Sequence, residues 1–356
     1  MPDTVMSAGT DLPLINGPQA WSGPDQAKRT DWIHTLNEAE IGEVQAALER
    51  VRSKEILGIG RDDFPLPTLG PRLTGICREV LHGRGFFLLR GLPIERYDVA
   101  EAARIFWGIG AYWGEPVSQN GKGHVLGHVK DLGLDYNDPL ARGYQTSARL
   151  PYHTDSSDTV ALLCLKKSKS GGLSSLVSTT TIYNEMVKRR PDLAAVLTQP
   201  VYRTRWGEVP EERKPYYGTA PFNLCDGRVI CTYVRSAVRK AQLMDVVPRV
   251  TPEQNEAMDL FDELANDPAL HLDMAFEPGD IQLVSNHAVA HSRTAYEDYE
   301  EPEKRRHLLR LWLACDDGPT LPESYTGEHQ GKTKGGRPDG IKVPGVPLNA
   351  PLEADA

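Results

Sequence analysis

Histidine and aspartate stand two residues apart at two places in this chain. The first pair, His153 and Asp155, lies in the stretch Leu150-Pro151-Tyr152-His153-Thr154-Asp155-Ser156-Ser157-Asp158. In an extended segment side chains alternate between faces, so His153 and Asp155 point the same way and can share one ion. Two histidines and one carboxylate on one face of iron leave positions open for a chelating cosubstrate and O2. His287 and His291 are the candidates for the third ligand. Both have the same parity on a strand, so spacing does not separate them. The second pair, His271 and Asp273, is a rival. Its neighbours Leu272, Met274 and Phe276 share the face suited to a core, which turns His271 and Asp273 toward solvent. This pair reads as structural.

Two arginines follow. On a strand, Arg306, Leu308, Arg310 and Trp312 share one face, and His307, Leu309, Leu311 and Leu313 share the other. Two guanidiniums on an apolar face are costly to bury unless they meet anions, and the planar fork of arginine grips carboxylates bidentately. A pair of internal salt bridges satisfies the same spacing. The loop 114–128 offers Gln119 and Asn120 as pocket-lining residues or as plain surface. Trp206, Tyr216 and Tyr217 are aromatic candidates for a lid, although core packing is the commoner fate of such residues.

Helices and short strands must position these groups. Asn37 and Glu40 have capping-box spacing before Ile41, Val44, Leu48 and Val51, which predicts a helix over 38–55. Residues 83–94 read as a strand bounded by glycines, and 99–114 as a helix. Between Trp113 and Tyr152 the chain is polar and glycine-spotted, consistent with long loops. A strand is expected at 159–167, then a strand running into a helix from Ser174, and an alternating strand at 228–235. Thr251 and Pro252 open a helix over 251–267. Residues 270–286 read as a hairpin turning at Pro278-Gly279-Asp280, and 305–315 as one more strand. No internal repeat is visible. This pattern suggests a β-sandwich or barrel with helical decoration. Residues 1–30 read as an irregular arm and 316–356 as a loosely held tail.

The 356 residues suit one large domain or two small ones. With 40% hydrophobic and 25% charged residues the composition is that of a soluble globular protein. A net charge of -9 without a dense basic block disfavours nucleic-acid binding. No run approaches the length of a membrane span, and the start lacks the pattern of a signal peptide. Five scattered cysteines without a Cys-x-x-Cys pair read as free thiols of a reducing cytoplasm.

Taken in order, "HTD" (153–155), "GGLS" (171–174), "NHAVAHSRTAYED" (286–298) and "RRHLLR" (305–310) resemble the TauD/TfdA-like family of Fe(II)- and 2-oxoglutarate-dependent dioxygenases. The resemblance spans about half the chain, 150–315. It implies a single mainly β domain with flanking helices, a double-stranded β-helix (jelly roll, clavaminate synthase-like) with its core at about 70–316. It also implies iron ligands His153, Asp155 and His291, the last set by Asn286 five before it and by Arg293 and Tyr296 after it. Arg306 matches the residue that holds the distal carboxylate of 2-oxoglutarate, with Ser174 where the family often has threonine. Arg310 matches a position that in several members binds an anionic substrate group. An acidic insert, 297–304, departs from the pattern. Asp155 argues against the halogenase variants, which carry a small residue there. The expectation is oxidation, hydroxylation by default, of a small anionic molecule in the cytoplasm, with Fe(II), 2-oxoglutarate and O2 as partners, and with Gln119 and Arg310 toward the substrate. Oligomeric state stays open, a homo-oligomer clasped by the terminal arms being one form. The alternatives are a cupin-like metal-dependent hydrolase or isomerase and a non-catalytic jelly-roll binding protein.

Overall fold

Short apolar strands, the central ones buried on both faces, build two facing sheets in this computed structural model, which describes residues 12–135, 142–208, 213–322 and 336–354. The strands used below are β1 (Ile33–Thr35), β2 (Phe86–Arg90), β3 (Glu115–Val117), β4 (Leu126–Val129), β5 (Leu150–His153) and β6 (Thr159–Lys166). They continue with β7 (Ser174–Ser178), β8 (Leu272–Met274), β9 (Ile281–Ser285), β10 (Val289–Arg293) and β11 (His307–Ala314). The larger sheet runs β1-β2-β9-β6-β11-β3, and β4 also pairs with β11. The smaller sheet runs β8-β7-β10-β5. Only the β1–β2 pairing is parallel among these strands. The two sheets face each other as a sandwich and do not close into a barrel.

Three apolar layers hold this arrangement. Between the sheets lie Phe86, Leu88, Val160, Cys164, Leu176, Val289, Leu308 and Trp312. The outer face of the larger sheet, with Leu163, Leu283, Leu309 and Leu311, is covered by α1 (Glu38–Val51), α2 (Leu69–His82) and α3 (Val99–Gly110) through Val44, Leu73 and Phe106. The smaller sheet buries Val177 and Ala290 under α4 (Thr179–Arg189), α5 (Pro191–Val196), α6 (Arg235–Ala241) and α7 (Pro252–Ala265). Burying one such aliphatic side chain is worth about 1.5–3 kcal/mol, so each sheet gains from both faces. The Asn37–Glu40 capping box and the Thr251 N-cap form as the sequence predicts, and Gln254 completes a second capping box with Thr251.

Three expectations about the strands change. Residues 270–286 are not a hairpin: β8 joins the smaller sheet and β9 the larger one. The turn at Pro278-Gly279-Asp280 is real, but it carries the chain across the sandwich. Gly279 has φ +89, and a Cβ there would come within 1.9 Å of the Leu92 carbonyl oxygen. Turn chemistry marks where a chain reverses, not which sheet receives it. The strand expected over 228–235 ends at Cys231, and Arg235 already opens α6. The stretch 113–152 contains β3 and β4, both too short for periodicity to reveal, and both paired with β11.

The described parts of the two arms are anchored at a few buried residues. Trp21 is buried, and its indole N–H donates to the Arg84 carbonyl at 2.7 Å. Residues of the tail expected to be loose, Arg337 and Ile341, are 7% and 3% exposed. Individual anchors fix this tail, and composition does not record them.

Candidate active site

The strand alternation that buries Leu308 and Trp312 between the sheets also turns Arg306 and Arg310 inward. On the facing sheet, β5 and β10 are neighbours, and His153 lies in register with His291. Asp155 follows β5 directly. The structure thus brings His153, Asp155 and His291 together. One potential ligand atom from each lies within 4.8 Å of the other two, and this is the one such His/Cys/Asp/Glu group of three or more among the described residues.

Hydrogen bonds prepare these side chains. His153 Nδ1 donates to the Pro151 carbonyl at 2.8 Å, which leaves Nε2 as the free lone pair, 3.8 Å from Asp155 Oδ1. His291 Nε2 is 3.6 Å from Asp155 Oδ2. Burial, helped by the neighbouring His153, pushes the His291 imidazole down to about 3, so it is neutral, as a ligand must be. Burial alone would raise the Asp155 carboxyl. Arg310, His291, His153 and the Trp312 indole N–H at 2.8 Å outweigh it and hold the group below the usual carboxylate range. The neutral His291 imidazole, the Nε2 of His153 and an ionised carboxylate, with no fourth His, Cys, Asp or Glu joining the group among the described residues, fit iron(II).

His287 does not join them. It is 1% exposed and its Nε2 meets Asp158 Oδ1 at 2.7 Å, on the turn before β10. The His271–Asp273 pair lies on the outer side of β8, half-exposed. Leu272, Met274 and Phe276 fill the interior, as their spacing predicts.

Arg306 and Ser174 line one cavity with His153, His291, Arg293 and Arg310. Arg306 is 4% exposed, makes no ion pair among the described residues, and keeps its Nη1 buried without a hydrogen-bond partner there. Burial lowers its pKa from the ordinary arginine value. A buried guanidinium left this way is a costly arrangement unless an anion completes it, which fits a 2-oxoglutarate carboxylate. Gly172 makes room for it: φ is +70, and a Cβ would lie 3.2 Å from Arg306 Nε and 2.8 Å from Ser168 Oγ. The Ser174 hydroxyl currently donates to Gln282 Oε1 at 3.1 Å.

Arg310 is held as a plane. Its Nε donates to Gln119 Oε1 at 2.7 Å, and its guanidinium lies 4.5 Å from the Tyr144 ring centre and 5.1 Å from that of Trp312. Gln119 is 1% exposed, and its amide also donates to the Val125 and Arg310 carbonyls. It braces Arg310 rather than lining the cavity wall. Asn120 bonds within its own loop. Trp206 and Tyr217 stand at the cavity mouth with Tyr144, Asp155 and Ile341, whereas Tyr216 packs edge-on against Tyr202. Sequence reasoning missed Tyr144, Asp158, Gln282 and Ile341. Asp158 sits in the quoted opening stretch, but nothing local marks it apart from a solvated aspartate.

The comparisons with known proteins agree with this geometry. The family model described as "Taurine catabolism dioxygenase TauD, TfdA family" matches residues 52–312. A curated relative named FR-33289 synthase, from Streptomyces rubellomurinus, is 31% identical over 329 residues, 91% of this chain and 97% of that protein. Another, the taurine hydroxylase-like protein SAT17 of Stachybotrys chartarum, is 31% identical over 319 residues, 85% of this chain and 80% of that one. Among solved structures, the non-heme iron oxygenase OrfP in complex with Fe and α-ketoglutaric acid superposes with a TM-score of 0.58, covering 79% of this chain and 93% of that one. Its 16% identity speaks for the fold alone. No helix among the described residues is long and apolar enough to cross a membrane. The chain belongs to the taurine catabolism dioxygenase TauD, TfdA family and is an Fe(II)- and 2-oxoglutarate-dependent dioxygenase.

Proposed function

We propose that this dioxygenase hydroxylates a small anionic molecule. One observation carries the reading: the His-Asp-His group opens on a cavity with an unpaired buried arginine, Arg306, and a planar, braced arginine, Arg310. His153, Asp155 and His291 would hold iron. Arg306 would grip the distal carboxylate of 2-oxoglutarate by charge-assisted hydrogen bonds, with Ser174 turning its hydroxyl from Gln282 to assist. Arg310 is 3.9 Å from Asp155. Once that carboxylate serves a metal, the Arg310 charge is left for a second anion. Its stacking between Tyr144 and Trp312 keeps the fork oriented, so the substrate binds in one pose at low entropic cost. Iron with 2-oxoglutarate and O2 supplies the oxidising power, yielding succinate and CO2. The protein's share is orientation and the exclusion of water.

The taurine in the family's name and in that of one relative is a sulfonate, which supports an anionic substrate. The hydroxylase in the relative's name supports the outcome. The free cysteines support a reducing, cytoplasmic setting. The test has two stages. Fe(II) and then 2-oxoglutarate are added without oxygen, and a weak visible charge-transfer band is expected, absent in His153→Ala. Small carboxylates, sulfonates and phosphonates are then screened for succinate release above the basal rate. Metal binding without the band would overturn the 2-oxoglutarate site. Acceleration by neutral molecules alone would overturn the role of Arg310.

A further inference from the structure

The buried carboxylate of Asp158 lies behind the candidate metal site and touches none of its ligands. It receives His287 Nε2 on Oδ1 at 2.7 Å and the Cys315 backbone N–H on Oδ2 at 2.9 Å. Arg337, from the C-terminal segment, adds a two-point ion pair: Nε to Oδ2 at 2.9 Å and Nη2 to Oδ1. Arg337 Nη1 donates to the Pro319 carbonyl at 2.7 Å. Space is reserved for this side chain, since a Cβ on Gly318 would come within 2.2 Å of Arg337 Nη2.

These contacts join the three chain segments that carry the site. Asp158 closes the loop that begins with His153 and Asp155. Its carbonyl accepts the Asn286 N–H at 2.9 Å, and Asn286 Oδ1 in turn accepts the Asp155 N–H at 3.0 Å. His287 begins the turn that leads to His291. Cys315 directly follows the strand that bears Arg310 and Trp312 and that Arg306 directly precedes, and Trp312 donates to Asp155. The same C-terminal segment runs on beside the Gln119 loop. Ile341 N–H donates to the Ser118 carbonyl at 2.8 Å, and its side chain lines the cavity mouth next to Asp155 and Arg310.

We propose that Arg337 is a positioning residue of the iron site: through Asp158 it sets the loop that presents His153 and Asp155. The inference rests on the reading of those residues as ligands. The physical reason is that a carboxylate with four donors has one stable position. With Arg337 removed, a buried charge keeps two donors and must shift, take up a proton or draw in water. Groups bonded directly to a ligand typically contribute about 10–100-fold to metal affinity, and Arg337, acting through the loop, is expected at the lower end of that range.

The test is an anaerobic Fe(II) titration of full-length protein at saturating 2-oxoglutarate, read by the charge-transfer band. Arg337→Ala is expected to raise the apparent Kd for Fe(II) by about 10-fold or more, and Arg337→Lys to recover part of the loss. The 2-oxoglutarate concentration for half-saturation at excess iron stays unchanged, because Arg306 is untouched. Val44→Ala, in the helical layer, serves as a control for lowered stability. A folded Arg337→Ala with wild-type Fe(II) affinity, or an equal loss of affinity in Val44→Ala, overturns the inference. If Arg337→Ala does not fold, Arg337→Gln is judged by the same criteria. Wild-type protein that binds no Fe(II), like His153→Ala, would overturn the underlying reading instead.

Discussion

The two His-x-Asp pairs occupy the two edge strands of one four-stranded sheet, β5 and β8. Their internal geometry is almost the same. His153 Nε2 lies 3.8 Å from Asp155, and His271 Nε2 lies 3.7 Å from Asp273. Their surroundings differ. His153 faces the sandwich interior, with the His291 ring 4.3 Å away and Arg310 beside Asp155. His271 faces outward, against Tyr152 at 6.1 Å, and Ser175 donates to Asp273. The Asp155 side chain is 8% exposed and that of Asp273 is 44% exposed. A metal-competent pair therefore becomes a site through what the facing strand supplies, a third ligand and a dry surround, not through its own spacing.

Substitutions at the two pairs would break this comparison most sharply. His153→Ala or Asp155→Ala is expected to reduce 2-oxoglutarate turnover, measured as succinate, to background. His271→Ala and Asp273→Ala should leave it within about twofold, as surface substitutions do. Equal losses at both pairs would erase the distinction.

Arg306 extends the contrast from metal to cosubstrate. Arg306→Ala should raise the KM for 2-oxoglutarate by about 10–100-fold, the worth of a charged hydrogen-bonded pair, while Fe(II) affinity holds. A saturation curve like that of wild type would remove Arg306 from the cosubstrate site.

A smaller effect is expected one layer out. Gln119→Leu leaves the Arg310 fork without its brace and should weaken binding of the anion identified by the succinate screen by about tenfold. The charge-transfer band of the Fe(II)–2-oxoglutarate complex should be unaffected. Loss of the band would mean that Gln119 supports the metal loop instead.

A second close histidine pair, half-buried at His307, separates burial from metal chemistry. His128 Nδ1 and His307 Nε2 meet at 2.8 Å, and burial together with His128 pushes His307 down to about 3. Below about pH 6.5 the unfolded chain takes up a proton that the folded chain refuses, so stability falls as pH falls toward 3. The slope from His307 is at most about 1.4 kcal/mol per pH unit. Thermal unfolding of His307→Gln across pH 7 to 4 should be less acid-sensitive than wild type. An identical pH profile would show that this imidazole takes up its proton in the folded state.

Legibility in the sequence followed the range of the interaction. The Asn37–Glu40 capping box, the Thr251 N-cap, the inward face of the last strand and the core face of β8 were readable, because each depends on residues within a turn or two. The ordered motifs pointed to the family and to His291 over His287. Parity alone left the two equal, and the structure separates them because His287 lies in a turn and reaches Asp158. The crossing of 275–280 between sheets, the pairing of β3 and β4 with β11, and the packing of the tail were not readable. Each depends on partners tens to hundreds of residues away, as when Arg337 meets Asp158.

The sequence by itself determined the chemistry available to this protein: imidazoles, carboxylates and guanidiniums at strand spacing, in an order shared with one oxygenase family. Tertiary structure alone decided which of two equivalent His-x-Asp pairs faces a third ligand, that Arg306 is buried without an ion pair among the described residues, and that Gln119 braces Arg310. The reason is physical. Local spacing sets the direction of a side chain, whereas burial and partnership are set by the opposing sheet, and these fix charge state and affinity.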